Sequence, residues 1–207
     1  MQLFCYPCKS KSNSKRKIEK MVSPEPSLKS CKNSQSTTVQ HSIEISQLLP
    51  NSQNQMIDMI RKNLGSFKEA GSVLAASFRR LENFTATYSS EKNIYFNAYC
   101  NSEKRTLGGV GVGPLAGLPP SDGIGEIREL VIDRPYRNRG VGAVLIEHAV
   151  NWAQRHGYET LYLETTTQMI TAQRLFKRFG FKPITDQNNG ESGNHALFPC
   201  YFMLSGL

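Results

Sequence analysis

The sequence predicts an α/β layered sheet, and three observations carry that reading. Apolar segments separated by turn residues come first, as in hairpins; a strand–helix–strand unit follows; and apolar residues recur at helical spacing in the segments between. The chain has 207 residues, 39% of them hydrophobic, enough for one domain with a sizeable core. No apolar run approaches the ~20 residues that span a bilayer. The opening Met-Gln-Leu-Phe-Cys-Tyr-Pro-Cys has no basic segment before it and is too short for a secretory core, so a cytoplasmic protein without a transmembrane segment is expected. Five cysteines, odd in number and scattered, do not suggest a disulfide framework.

The formal charge of +8 is unevenly placed. Residues 1–40 hold eight of the 25 Lys/Arg and two of the 17 Asp/Glu, a net +6. This stretch is rich in Ser and Lys, includes Pro24 and Pro26, and has no sustained apolar period. It is expected to be a disordered basic tail, with the folded domain over 41–207. A tail of this charge offers weak contact with a polyanion, nucleic acid or an anionic membrane. Cys5-x-x-Cys8, with Cys31 and His41 further on, lacks the spacing of a zinc site, and no metal is expected.

The elements follow in order. Ser42 to Ser46 alternates with period two, as an edge strand does; Pro50-Asn51-Ser52 starts a helix whose face is Met56, Ile57, Ile60 and Leu64, ending at Gly65. A second helix is predicted from Ser72 to Tyr88 with Leu74, Phe78, Leu81 and Phe84 inward. Asn93–Cys100 and Leu107–Leu115 read as a hairpin about Asn101–Lys104, and the glycines of Gly108–Gly113 mark a strand closely approached by its neighbours. Strands at Ile124–Asp133 and Thr160–Thr165 flank a helix carrying Val141, Val144, Leu145, Ala149 and Trp152, stopped by Gly157. His148 and His156 on that helix have no carboxylate at relay spacing and read as structural. A helix from Met169 to Phe179 with Ile170, Leu175 and Phe179 inward precedes two strands, Lys182–Thr185 and Leu197–Leu204, joined by a polar loop at 186–196.

The most informative stretch is Gly125–Gly142, GEIRELVIDRPYRNRGVG. A strand passes through a basic loop into a helix that begins at Gly140-Val141-Gly142. Unpaired N–H groups at a helix start, together with the helix dipole, attract anions. Glycines at 140 and 142 would let a phosphate approach the backbone, and Arg134, Arg137 and Arg139 add charge-assisted donors. No Gly-Lys-Ser/Thr follows, and Ala143-Val144-Leu145 rules out Gly-x-Gly-x-x-Gly.

What does match is Arg-x-x-Gly-x-Gly at Arg137–Gly142, following Leu130-Val131-Ile132-Asp133 and preceding GYETLYLETT and AQRLFKRFGF. Over roughly residues 41–207 the chain resembles the GNAT-type acyl-CoA N-acyltransferase superfamily. The resemblance implies a highly twisted mixed β-sheet flanked by helices, with two central strands splayed around pantetheine. It also implies that acetyl-CoA, a co-substrate, is bound by Arg137, Asn138, Arg139, Gly140, Val141 and Gly142, by the backbone of Leu130, Val131 and Ile132, and beside Phe176. The helical pair before the hairpin would overhang the acceptor.

The implied reaction is attack of a primary amine, small or on a protein, on the thioester within a ternary complex. An alkylammonium has a pKa near ~10, so a base is needed, with donors for the developing oxyanion. Glu126 is the candidate base. By strand parity it shares a face with Arg128, Leu130 and Ile132, and Glu129, the second candidate, falls on the other face unless a bulge intervenes. The family's Asn-x-x-Ala-x-x-Leu-Tyr is here Met169-Ile-Thr-Ala172-Gln-Arg-Leu175-Phe176, so the tyrosine acid is absent. Tyr201, Tyr136, His195 or solvent would protonate the thiolate, and Tyr201 is the candidate carried forward. Cys200 is not needed as a nucleophile, because direct attack forms no acyl-enzyme. The alternative reading is a CoA-binding sensor with the same fold and a polyanion-binding tail. Monomer and homodimer both remain open.

Overall fold

The computed structural model describes residues 43–65, 71–184 and 199–207. The expected 1–40 tail, the residues Cys5, Cys8, Cys31 and His41, and the polar loop at 186–196 with His195 lie outside them. In chain order the elements are β1 (Ile43–Gln47), α1 (Gln53–Leu64), α2 (Gly71–Glu82), α3 (Phe84–Thr87), β2 (Ile94–Cys100) and β3 (Arg105–Pro114), then β4 (Ile124–Ile132), α4 (Val141–Arg155), β5 (Thr160–Thr166), α5 (Ile170–Arg178), β6 (Lys182–Ile184) and β7 (Pro199–Ser205). The strands form one sheet in the order β1-β2-β3-β4-β5-β7-β6. Among the described residues only the central β4–β5 pair is parallel, as a strand–helix–strand crossover through α4 requires. The expected mixed sheet flanked by helices is observed.

Strand alternation divides the side chains between two cores. On one face Ile94, Phe96, Val110, Val112, Ile127, Leu161, Leu163 and Phe202 pack with Val141, Leu145, Ala149 and Trp152 of α4 and with Phe176 of α5. On the other a smaller core joins Met56 and Ile60 of α1, Leu81 of α2, Phe84 and Tyr88 to Tyr95 and Val131. His148 and His156, expected to be structural, make ring contacts on this face. His148 meets the Phe96 ring edge-on and His156 stacks on Trp152 with ring centroids 4.0 Å apart.

Three expectations need correction. The predicted helix from Ser72 to Tyr88 is two helices, broken at Asn83, whose φ of −118° and ψ of 36° leave the helical region. Phe78 is 40% exposed rather than inward. The inward face of α2 lies between Arg80 and Leu81, which puts Phe78 about 110° away at 100° per residue. Ile170 is likewise 56% exposed; α5 is seated by Phe176, with Ala172, Leu175 and Phe179 beside it, and Ile170 stands about 120° round from Phe176.

The glycines of β3 do mark close approach. A Cβ on Gly111 would strike the Tyr88 phenol, and one on Gly113 would strike Asn93 and the Arg128 guanidinium. This bare strip of strand is what allows Tyr88 and Arg128 to lie flat on the sheet beside the candidate site.

Candidate functional site

The site begins with an irregularity in β4. Gly111 pairs with Arg128 but Gly109 pairs with Val131, so β4 contains one extra residue between them. Glu129 absorbs it with a φ of 42°, a left-handed conformation uncommon for a side-chain-bearing residue. The bulge reverses the alternation. Glu126 and Arg128 face the α1–α3 side, as do Glu129 and Val131, while Leu130 and Ile132 pack on the α4 core. Parity had put Leu130 and Ile132 with Glu126 and Glu129 opposite; the extra residue exchanges them.

The bulge coincides with a parting of the sheet. β4 and β5 pair from Ile124–Thr160 to Ile127–Leu163 and no further. Beyond that point β4 keeps its bonds to β3, and β5 remains paired with β7 through Thr166. The backbone of β4 from Arg128 to Ile132 therefore borders a wedge-shaped opening.

Two arginines tie the carboxylates on its β4 side. Arg128 Nε donates to Glu126 Oε2 at 2.8 Å, and Arg80 Nη1 lies 3.9 Å from Glu126 Oε1. Arg80 Nε donates to Glu129 Oε1 at 2.6 Å; the Tyr88 hydroxyl donates to the other Glu129 oxygen, and the Tyr95 hydroxyl to its backbone carbonyl at 2.9 Å. The Glu129 side chain is fully buried. Burial pulls the Arg80 guanidinium down, but the charges of Glu129 and Glu126 outweigh it and its pKa is raised. Burial, then Glu129, pushes the Tyr88 phenol well up, so it stays a donor.

The β5 side presents a different set. Leu161 and Leu163 point into the α4 core, so Tyr162 and Glu164 point to the face that carries Glu126. Glu164 is the first residue past the last β4–β5 pair, and its cross-strand partner on β7 is Tyr201. The Tyr162 and Tyr201 rings stack 5.9 Å apart at 24°. Glu164 is half-buried and, among the described residues, its carboxylate has no hydrogen bond or ion pair. Burial first, then the charge of Glu126, pushes its carboxyl above the usual range against the pull of Arg80. In the sequence Glu164 stands out only as a lone acid between Leu163 and Thr165 within the strand expected at Thr160–Thr165.

At the far end of β4 lies the corner. Residues Arg137 to Gly140 are exposed. Gly140 caps α4 with a φ of 87°, and a Cβ there would meet nothing within 4 Å. Gly142 is different: its Cβ would sit 3.1 Å from Leu175 Cδ2, so its smallness serves the α4–α5 contact rather than approach to the backbone. Among the described residues, the N–H groups of Asn138 to Gly142 have no backbone acceptor. Arg137 is folded back, donating to the Ile132 carbonyl at 3.1 Å and to the Asn63 side chain. Arg139 and Arg105 lie over the Tyr136 ring at 5.6 and 5.0 Å, and the Tyr136 hydroxyl donates to Glu103, which commits that phenol to the corner. A surface cavity of about 360 Å³ lined by Met59, Lys62, Asn63, Asp133 and Arg134 adjoins it.

The structure thus brings Glu126, Glu129 and the backbone of Leu130–Ile132 to one side of the opening, with Tyr201 on the strand beyond β5. Phe176 is 4% exposed and packed against Phe181 and Phe202, a core residue with little surface for a ligand. Among the described residues, no cluster of His, Cys, Asp and Glu could hold a metal, and no helix is long and apolar enough to cross a membrane.

A sequence model of the acetyltransferase (GNAT) family matches residues 62–181. The uncharacterized N-acetyltransferase YobR of Bacillus subtilis is 26% identical over 131 residues, 58% of this chain and 50% of its own length. Streptothricin acetyltransferase of Streptomyces lavendulae is 30% identical over 82 residues, 36% of this chain and 43% of its own. The chain thus spans about half the length of the curated relatives it matches. A crystal structure of a GNAT-family acetyltransferase from Staphylococcus aureus Mu50 superposes with a TM-score of 0.61 at 18% identity, covering 79% of this chain and 99% of that one. At that identity the likeness is one of fold.

Proposed function

The chain belongs to the acetyltransferase (GNAT) family, and from that premise we propose that it moves an acetyl group from acetyl-CoA to a primary amine by direct attack in a ternary complex. The observation that carries the proposal is the wedge between β4 and β5, open from Arg128 and Glu164 onward and continuous along β4 with the exposed start of α4. The N–H groups of Asn138 to Gly142 and the Arg139 guanidinium would hold the coenzyme's diphosphate. Gly140 fits that task, since its left-handed φ turns the chain into α4 and no atom lies where a side chain would project. The β4 backbone beyond Ile127 would receive the pantetheine amides, and the Leu130–Ile132 segment would face the thioester oxygen. Bound there, the coenzyme supplies an activated acyl carbon with a thiolate leaving group.

The chain's own groups would then manage charge and protons. The acceptor enters as an ammonium and must lose a proton before its nitrogen can bond to the acyl carbon. A carboxylate on the wedge accepts that proton; Glu126 is the one the sequence nominates. Backbone N–H groups steady the oxyanion while the carbon–sulfur bond breaks. Tyr201, the cross-strand partner of Glu164, is the candidate donor to the departing sulfur.

Calorimetry with CoA and thiol release from acetyl-CoA over a panel of alkyl amines, lysine peptides, free peptide N-termini and aminoglycosides test the proposal. Binding together with turnover of one class supports it. Indifference to millimolar CoA would end it, and binding without turnover anywhere on the panel would leave a CoA-binding module in its place.

A further inference from the structure

We propose that Glu164, on β5, rather than Glu126, on β4, is the group that takes the proton from the acceptor amine. This rests on the acyl-transfer reading above and deepens it.

The geometry separates the three acids of the wedge by what already occupies their oxygens. Glu129 is fully buried, with Arg80 on one oxygen and Tyr88 on the other. Glu126 is held at 2.8 Å by Arg128, which is itself anchored to the Pro114 carbonyl and to Asn93, and its second oxygen faces Arg80 at 3.9 Å. Both Glu126 oxygens therefore face guanidiniums, which leaves them poorly placed to meet an incoming amine. Glu164 has neither constraint: among the described residues it makes no hydrogen bond and no ion pair. It stands on the other arm of the wedge, one residue past the closing pair Ile127–Leu163, on the face that carries Glu126.

The neighbours of Glu164 strengthen the assignment. On its own face of the sheet are Tyr162 and Tyr201, stacked on each other, and across the opening are Glu126, Arg128 and Arg80. An aromatic pair beside a carboxylate suits an incoming ammonium, which both attract. Burial and the nearby Glu126 charge favour the protonated carboxyl of Glu164, and a base poised closer to neutrality transfers protons more effectively than one fixed as an anion. Glu126, held by Arg128 with Arg80 nearby, becomes a positioning residue whose charge bears on Glu164.

The step balances. The ammonium gives one proton to a Glu164 oxygen, directly or through one water; the freed nitrogen lone pair forms the N–C bond; the C–S bond breaks and its electron pair leaves on the thiolate. Once bonded to carbon, the nitrogen sheds its second proton, which passes through Tyr201 or solvent to the thiolate; the products are the amide, CoA thiol and a protonated Glu164, which returns its proton to solvent.

The experiment compares wild type, Glu164→Gln, Glu164→Asp and Glu126→Gln by kcat/KM against pH, with acetyl-CoA and whichever amine of the panel the wild type acetylates. In parallel, the Glu164 side chain is titrated by ¹³C NMR, assigned by its absence in Glu164→Gln. The expected result for Glu164→Gln is a fall in kcat/KM of ~10²–10⁴-fold, loss of the acidic limb of the profile and unchanged CoA affinity, with partial recovery in Glu164→Asp. Glu126→Gln should keep an acidic limb, moved in pH. A limb that survives in Glu164→Gln and vanishes in Glu126→Gln would overturn the assignment while leaving acyl transfer intact, and so would an NMR midpoint for Glu164 at the ordinary ~4.3. A wild type that binds CoA but acetylates nothing would overturn both.

Discussion

Arg80 shows most directly how single side chains hold the site. Among the described residues it is the one cation that touches Glu129, whose side chain is fully buried. Removing it in Arg80→Ala leaves that carboxylate with the Tyr88 hydroxyl as its remaining donor among the described residues, so a loss of about 3–5 kcal/mol is expected in urea unfolding. Tyr88→Phe removes one donor and should cost about 1–3 kcal/mol. Glu164 runs the other way. Its carboxyl pKa is raised in the folded state, so its stabilising contribution is whole below the unfolded value and is lost as pH rises through the raised one. Glu164→Gln is therefore expected to melt higher than wild type at neutral pH, with the difference closing on acidification. Equal melting curves at all pH values would contradict the environment described for this residue.

Among the elements, β4 and α4 decide most of the chemistry, and they were not equally legible beforehand. The α4 segment announced itself through Val141, Leu145, Ala149 and Trp152, and the corner through Arg137–Gly142. Both signals are local, set by helical period and turn chemistry. The β4 bulge was not legible in this way, because an extra residue at Glu129 depends on how β3 and Tyr95 receive it, and strand parity knows nothing of its neighbours. Asn83 was missed for a related reason: Leu81, Phe84 and Tyr88 satisfy one helical face whether or not the helix is broken between them. The glycines invite a paired test. Gly140→Ala forces a side chain into a left-handed φ at about 1–2 kcal/mol, and should weaken CoA binding several-fold in calorimetry. Gly142→Ala presses on the end of Leu175 and touches Ile132, so its effect should fall mainly on thermal stability. In α1, Ile60 is 1% exposed, and Ile60→Ala should cost about 2–5 kcal/mol by denaturant melt.

Across the whole molecule, the sheet is held together at its middle by four residue pairs, Ile124–Ile127 with Thr160–Leu163. Everything from β1 to β4 meets everything from β5 to β7 along that short seam and through the α4 core. A strand border left without a partner ordinarily invites another chain to add on. Here the border is internal, flanked by the opposite arm of the same sheet. Occupancy of the gap should then act as a rivet for the seam. At a hundredfold excess over Kd, CoA is expected to add about 2.7 kcal/mol to unfolding, and amide hydrogen exchange at Arg128–Ile132 should slow more than at Ile124–Ile127.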